Sequence, residues 1–303
     1  MKRAAHALEA ALSQLDAAQL RRRRTTVEGF AQRGNRVLVR AGGRALVDFS
    51  SNDYLGLAHH PALAAALGRC AALAGSGSAA SHLVTGHGAE HQRLEEELAA
   101  FTGRERALLF CTGYMANLAV VSSLAGRGER VLLDRFSHAS LIDGALLSGA
   151  ALRRYAHADA DAAARLLGKD RERTALLATD GVFSMDGDRA PLVQLARSAR
   201  DASAWLVVDD AHGLGVVGAT GRGTLEECGL SCEDAPVLVG TLGKAFGCCG
   251  AFVAGGADLI EFLMQKARAY VYTTALPQPV AAASRAALAL AQAEGWRRAR
   301  LSA

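Results

Sequence analysis

Val237-Leu-Val-Gly-Thr-Leu-Gly-Lys-Ala-Phe-Gly247 sets a lysine among glycines just past an apolar run that ends at Thr241. The placement is informative because the chain holds four lysines against thirty arginines, so arginine serves wherever a plain surface cation will do. Lys2 is terminal, Lys169 lies in the polar run 168–173, and Lys266 falls in an amphipathic helical pattern. Lys244 alone follows a strand-like run. A partly desolvated amine there can lose its proton and attack a carbonyl, which arginine cannot do. Taken alone, the segment also reads as a Gly-Lys surface turn.

Outward from this segment the chain alternates short apolar runs with helical stretches. Strands are expected at 107–110, 130–133, 152–155, 174–179, 204–208, 236–240 and 250–254. Helices are expected at 114–125, 138–148, 159–168 and 191–200 between them, with 259–270 and 279–301 after them. Four- to six-residue strands separated by helices predict an α/β fold with a parallel sheet covered on both faces. Upstream, apolar positions at Leu8, Leu12, Leu15 and Ala18 predict a helix over about 4–22. Strands at 36–40 and 45–48 follow, then a helix opened by Pro61 and another over 90–101. The glycine- and serine-rich run 75–86 reads as an ordered loop.

With 303 residues, half of them hydrophobic, the chain is long enough for one large α/β domain with a smaller lobe. Its formal charge of +4 is spread thinly, and the dense basic run Arg21–Arg24 lacks aromatic interleaving, which argues against nucleic acid. That run reads equally as a solvated helix end or as an anion clamp. The six cysteines form no Cys-x-x-Cys pair and none joins a histidine at zinc-ligand spacing, so no metal site is read and reduced thiols of a cytoplasmic protein are expected. No apolar run approaches a membrane span.

In a parallel sheet, ligands gather beyond the carboxyl ends of the strands. Cys111-Thr-Gly-Tyr-Met-Ala-Asn117 turns from a strand into a helix, whose free amides carry a partial charge of roughly +0.5 and suit a phosphate. His138 stands at the start of another helix, where a simple cap is the competing reading. Asp209-Asp-Ala-His212 puts two acids and a histidine at a strand end, which is costly without partners. Gly213-Leu-Gly-Val-Val-Gly218 matches a dinucleotide fingerprint by letter, but Asp209–His212 intervenes and no helix can follow, which excludes a nicotinamide enzyme. A phosphate cradle, an acid, a histidine and a Schiff-base lysine together suit pyridoxal phosphate.

Five ordered motifs now carry a resemblance: Ser51-Asn-Asp-Tyr-Leu-Gly56, Ser137-His-Ala-Ser140, Val182-Phe-Ser-Met-Asp-Gly187, Asp209-Asp-Ala-His-Gly213 and Thr241-Leu-Gly-Lys244. From Leu20 to Pro277 the chain resembles the α-oxoamine synthases, pyridoxal-phosphate transferases of the aspartate-aminotransferase fold. The resemblance implies an N-terminal helix with small strands over 1–45, a cofactor-binding large domain over 46–275 with a mostly parallel sheet flanked by helices, and a helix over 276–303 leading toward a small C-terminal lobe. It implies that Lys244 bonds the cofactor aldehyde, Asp209 the ring nitrogen and His212 the ring hydroxyl, while His138 stacks on the ring. Gly113, Tyr114 and Thr241 would bind the phosphate, Ser184 would line the cofactor, and Asn52 and one of the arginines at 21–24, Arg21 first among them, would face the substrates. Thr273 and Thr274 would reach the phosphate of a second subunit, because the family builds its site at a homodimer interface.

The reaction implied is a decarboxylating condensation of L-alanine with a pimeloyl thioester, carried on coenzyme A or on a carrier protein. Family members continue into the small lobe, which is largely absent here, so cofactor binding with weak or absent turnover is expected. A relative using glycine or serine with another acyl-CoA, a lyase of the same fold and a non-catalytic remnant are the alternatives. Cys248-Cys249 beside the lysine departs from the family's small residues.

Overall fold

The computed structural model describes residues 2–33, 36–169 and 174–303; residues 170–173 of the polar run that follows Gly168 lie outside the described residues. Two compact units divide the chain, residues 1–51 and 52–303.

The first unit holds α1 (Lys2–Ala17) and an antiparallel sheet of β1 (Gly29–Arg33), β2 (Arg36–Ala41) and β3 (Arg44–Val47). Ala41 pairs with Arg44 across the two-residue turn Gly42-Gly43, where both residues have positive φ (56° and 71°). That is the hairpin turn whose twist matches the strands and which glycine adopts without strain. The helix is shorter than the spacing predicts, because Gln19 turns to φ 55° and the basic run continues as irregular chain. Strand β1 was not expected: Gly29-Phe-Ala-Gln-Arg33 lacks β-branched residues, and its pairing with β2 overrides that preference.

In the second unit, α2 (Pro61–Ala74) opens on proline, with the His60 ring accepting from the amide of Ala62. A single π-turn spans His82–Gly86 within the expected loop, and α3 (Ala89–Thr102) follows. The alternation then runs β4 (Arg106–Phe110), α4 (Gly113–Leu124), β5 (Arg130–Asp134), α5 (Ala139–Ser148), β6 (Ala151–Tyr155), α6 (Ala160–Gly168), β7 (Thr174–Asp180), α7 (Leu192–Asp201) and β8 (Trp205–Asp209). A short α8 (Thr224–Glu227), β9 (Val237–Thr241), β10 (Ala251–Gly255), α9 (Ala257–Lys266), α10 (Arg268–Val271), α11 (Gln278–Ala293) and α12 (Trp296–Ser302) complete it. The two long C-terminal helical patterns are therefore each broken, one at Ala267 and one at Glu294-Gly295.

The seven strands lie in the order β4-β10-β9-β8-β7-β5-β6. Six run parallel and β10 is antiparallel to both neighbours, so the sheet is mostly parallel, as the resemblance implies, rather than wholly parallel, as the alternation alone suggests. The reason is length: the nine residues 242–250 cannot hold a crossover helix, so the chain doubles back. Alternating side chains feed two cores. Leu206 and Val208 of β8 and Leu177 of β7 join Leu94, Leu195 and Leu288 on one face. Val207, Leu176 and Ala178 join Val120, Leu141 and Ile260 on the other. Each such buried Leu, Ile or Val contributes roughly 1.5–3 kcal/mol. Edge strand β6 carries Arg153 and Arg154, charges that discourage further pairing. No helix among the described residues is long and apolar enough to cross a membrane.

Candidate active site

The parallel strands end at Phe110, Asp134, Tyr155, Asp180, Asp209 and Thr241, along one edge of the sheet. Past Thr241 the chain turns through Gly243-Lys244 and closes at Gly247, whose φ is 63° and where a Cβ would sit 2.3 Å from the amide of Ala58. Only glycine permits that approach, and it anchors the lysine loop on residues 57–58.

Lys244 Nζ lies 2.7 Å from His212 Nε2, and His212 Nδ1 lies 2.7 Å from the Tyr54 hydroxyl. Burial, then the adjacent Lys244 charge, pulls His212 down to about 4, so its ring is neutral near pH 7. Lys244 must therefore donate to Nε2. The ring proton then sits on Nδ1 and goes to Tyr54, whose own hydroxyl proton goes to Asn52 Oδ1 at 3.2 Å. Burial also lowers Lys244 itself, partly opposed by Asp209 and Asp180.

Asp209 is held by two donors, Asn117 Nδ2 at 2.6 Å and the amide of Ala211 at 3.0 Å. The second hydrogen of Asn117 goes to Ser140 Oγ at 2.8 Å, which turns the serine proton toward His138 Nδ1 at 2.7 Å. His138 caps α5, accepts at Nδ1 and presents an exposed ring. Its amide donates to Asp180 Oδ2. Asp180 is level with Asp209 on the neighbouring strand, and burial followed by the Asp209 charge raises it well above the usual carboxylate range. Of the two acids, Asp209 has the donors that suit a carboxylate.

The structure thus sets Lys244 and His212 in one hydrogen-bonded chain with Tyr54 and Asn52, and Asp209 and His138 in a second with Asn117 and Ser140, both at the same sheet edge. Sequence reasoning assigned no role to Tyr54, Asn117, Ser140 or Asp180, although each stood in a motif or strand end already marked. The missing signal was the cross-strand register, which a single sequence does not carry. Gly113 begins α4; its amide and that of Tyr114 have no intrahelical acceptor, and a Cβ built on Gly113 meets nothing within 4 Å. The remaining expected residues are more scattered. The Thr241 hydroxyl donates to Gly250 O, the Tyr114 hydroxyl to Asp143, and Ser184 is exposed. Thr274 is exposed and bridges to Ser81, with Thr273 beside it. Arg21 belongs to the first unit and pairs with Asp16 at 2.5 Å. Cys248 packs against the larger core as a half-buried thiol whose pKa burial raises.

A family model for aminotransferase class I and II matches residues 44–303, and the chain belongs to that family. Among curated relatives, 8-amino-7-oxononanoate synthase of Methylococcus capsulatus is 60% identical over 96% of this chain and 74% of its own length. The enzyme of the same name from Thioalkalivibrio sulfidiphilus is 57% identical over 97% of this chain and 74% of its own. Among solved structures, a Sphingomonas wittichii serine palmitoyltransferase aligns with a TM-score of 0.85 at 32% identity, covering 96% of this chain and 73% of that one. An 8-amino-7-oxononanoate synthase from Francisella tularensis aligns with a TM-score of 0.73 at 36% identity, covering 84% and 71%.

The chain is therefore a pyridoxal-phosphate-dependent enzyme, and its own residues fit that group. A desolvated amine, a carboxylate with oriented donors, an exposed imidazole and an uncovered helix N-terminus stand at one sheet edge. Asn117 Oδ1 is also buried there without a partner.

Proposed function

We propose that this chain condenses L-alanine with a pimeloyl thioester, on coenzyme A or a carrier protein, releasing carbon dioxide and the thiol to give 8-amino-7-oxononanoate. The observation that carries the reading is Lys244 Nζ set against a neutral His212 beside Asp209. The names of the relatives at 57–60% identity support the choice of substrates.

Bound, pyridoxal phosphate supplies an electron sink for the carbanion at the amino acid's α-carbon. Lys244 and Asp209 would hold its two ends, the N-terminus of α4 its phosphate and His138 one face of its ring. Once released, Lys244 is the base for the α-proton: burial favours its neutral form, and His212 Nε2 orients its lone pair. Tyr54 fixes the tautomer that makes Nε2 the acceptor. Asn52, at the end of that relay, is the proposed substrate contact. A homodimer in the cytoplasm completes the proposal, with Thr273 and Thr274 serving the partner's phosphate.

A second reading, a synthase using serine, draws on the higher TM-score of the serine palmitoyltransferase. Proton exchange at the α-carbon in deuterated water separates the two. The cofactor-loaded chain should exchange the α-proton of L-alanine and release thiol from pimeloyl-CoA. Exchange of serine or glycine with alanine silent would overturn the substrate assignment. Absence of a borohydride-trapped adduct on Lys244 would overturn the site itself.

A further inference from the structure

Away from the strand ends, the π-turn and the first turn of α3 bring three histidines together. His82, His87 and His91 each offer one ring nitrogen, all within 4.8 Å of one another. The three histidines stand five and four residues apart in a run with no cysteine, unlike the common cysteine–histidine metal motifs.

We propose that His82, His87 and His91 form a binding site for one borderline divalent transition ion, of which zinc is the type. Three nitrogen donors and no carboxylate in the set suit zinc, nickel or copper rather than magnesium or calcium. The outer nitrogens are already engaged as metal-bound histidines require. His91 Nε2 donates to the carbonyl of Leu276, and His87 Nε2 lies 3.3 Å from Gln92 Oε1, an acceptor. Each of those rings is left with its lone pair on Nδ1. His82 Nδ1 faces His87 Nδ1 at 2.9 Å, so without an ion a proton must sit between two nitrogens that could both bind metal.

The geometry needs only small movements. Zinc–nitrogen bonds of about 2.0–2.1 Å in a tetrahedron place the nitrogens about 3.4 Å apart. The present span runs from 2.9 Å to at most 4.8 Å, so ring shifts of about 1 Å suffice. An ion would replace the bond from the Gly88 amide to His91 Nδ1, and the half-buried His87 offers the entry side. His82 stacks on Tyr270 at 4.9 Å and His91 holds Leu276, so a bound ion would tie the 75–88 loop to segment 270–276. A water would complete the fourth position.

The test is titration of the full, cofactor-loaded chain with zinc chloride, by calorimetry and thermal melting, and with cobalt(II) as a spectroscopic probe. One ion per chain is expected, with a raised Tm and the visible bands of a four-coordinate nitrogen site. His87→Ala should weaken binding at least tenfold and abolish the zinc-induced rise in Tm, measured against that variant's own metal-free Tm. Unchanged zinc affinity in His87→Ala, no saturable binding, or cobalt–thiolate charge transfer in place of the nitrogen bands would each overturn the site.

Discussion

Tyr54 is the residue whose removal would isolate orientation from chemistry. Its hydroxyl touches neither the lysine nor Asp209 in the hydrogen-bond network; it accepts from His212 Nδ1 and so decides which ring nitrogen faces Lys244. Burial raises Tyr54, so it stays protonated and passes its own hydrogen to Asn52. In Tyr54→Phe the ring keeps its packing but loses that acceptor, and the other tautomer, with Nε2 protonated, becomes accessible. One net hydrogen bond is worth about 0.5–1.5 kcal/mol, so kcat should fall about three- to tenfold with cofactor absorbance unchanged. A 100-fold loss would make Tyr54 a proton donor in its own right; no loss would show that His212 is oriented by other means. Lys244→Ala should remove borohydride trapping altogether and cost about 100- to 10,000-fold in turnover, the usual range for a positioned base.

At the scale of elements, the end of β8 separates two acids that sequence left side by side. Successive residues of a strand point to opposite faces, so Asp209 reaches the site network while Asp210 turns into a closed pocket. There it accepts from the Thr224 amide at 2.7 Å and starts α8. Three glycines make room for it. A Cβ on Gly181, Gly213 or Gly223 would lie 2.5, 2.1 or 1.9 Å from an Asp210 oxygen. Burial pushes Asp210 up to about 7 from 3.8. The folded chain therefore binds this proton more tightly than the unfolded chain does. That stability is fully present below about pH 4 and declines as pH rises toward 7. Asp210→Asn keeps the acceptor for Thr224 without the charge, so its Tm should exceed wild type by about 2–4 °C at pH 8 and converge with it below about pH 4. Equal Tm values at both pH values would show that Asp210 gains no proton on folding.

The same scale shows what the sequence could and could not reveal. The β-α alternation was legible because β4, β5, β8, β9 and β10 are short, mostly apolar runs buried along nearly their whole length. Strand direction was not, since only the brevity of 242–250 reverses β10. The π-turn at 82–86 was hidden by Gly and Ser composition. Lys244, His212, Asp209 and His138 were legible because chemistry at strand ends is dear to bury. Asn117 and Asp180 were not, because their place depends on which strands adjoin.

For the whole molecule, the proposal of a homodimer has a definite surface. Leu83, Val84 and Tyr272 are 45%, 75% and 72% exposed. They stand close together because Ser81 bridges Thr274 and the Ala275 amide donates to Ala80 O. Exposed apolar side chains grouped in this way mark an interaction surface more often than bare solvent contact. The same strip carries Thr273 and Thr274, the residues proposed to serve a partner's phosphate. Full burial of a Val or an aromatic ring is worth roughly 1.5–3 kcal/mol, so Val84→Asp with Tyr272→Asp should weaken association at least 100-fold. Light scattering on the wild-type chain should give twice the chain mass, and the double variant a single chain mass. If the phosphate site is shared, the variant must also lose cofactor absorbance on gel filtration, although none of its changes lies at Lys244 or Asp209. A monomeric variant that retains cofactor would leave the interface here but place the whole phosphate site within one chain.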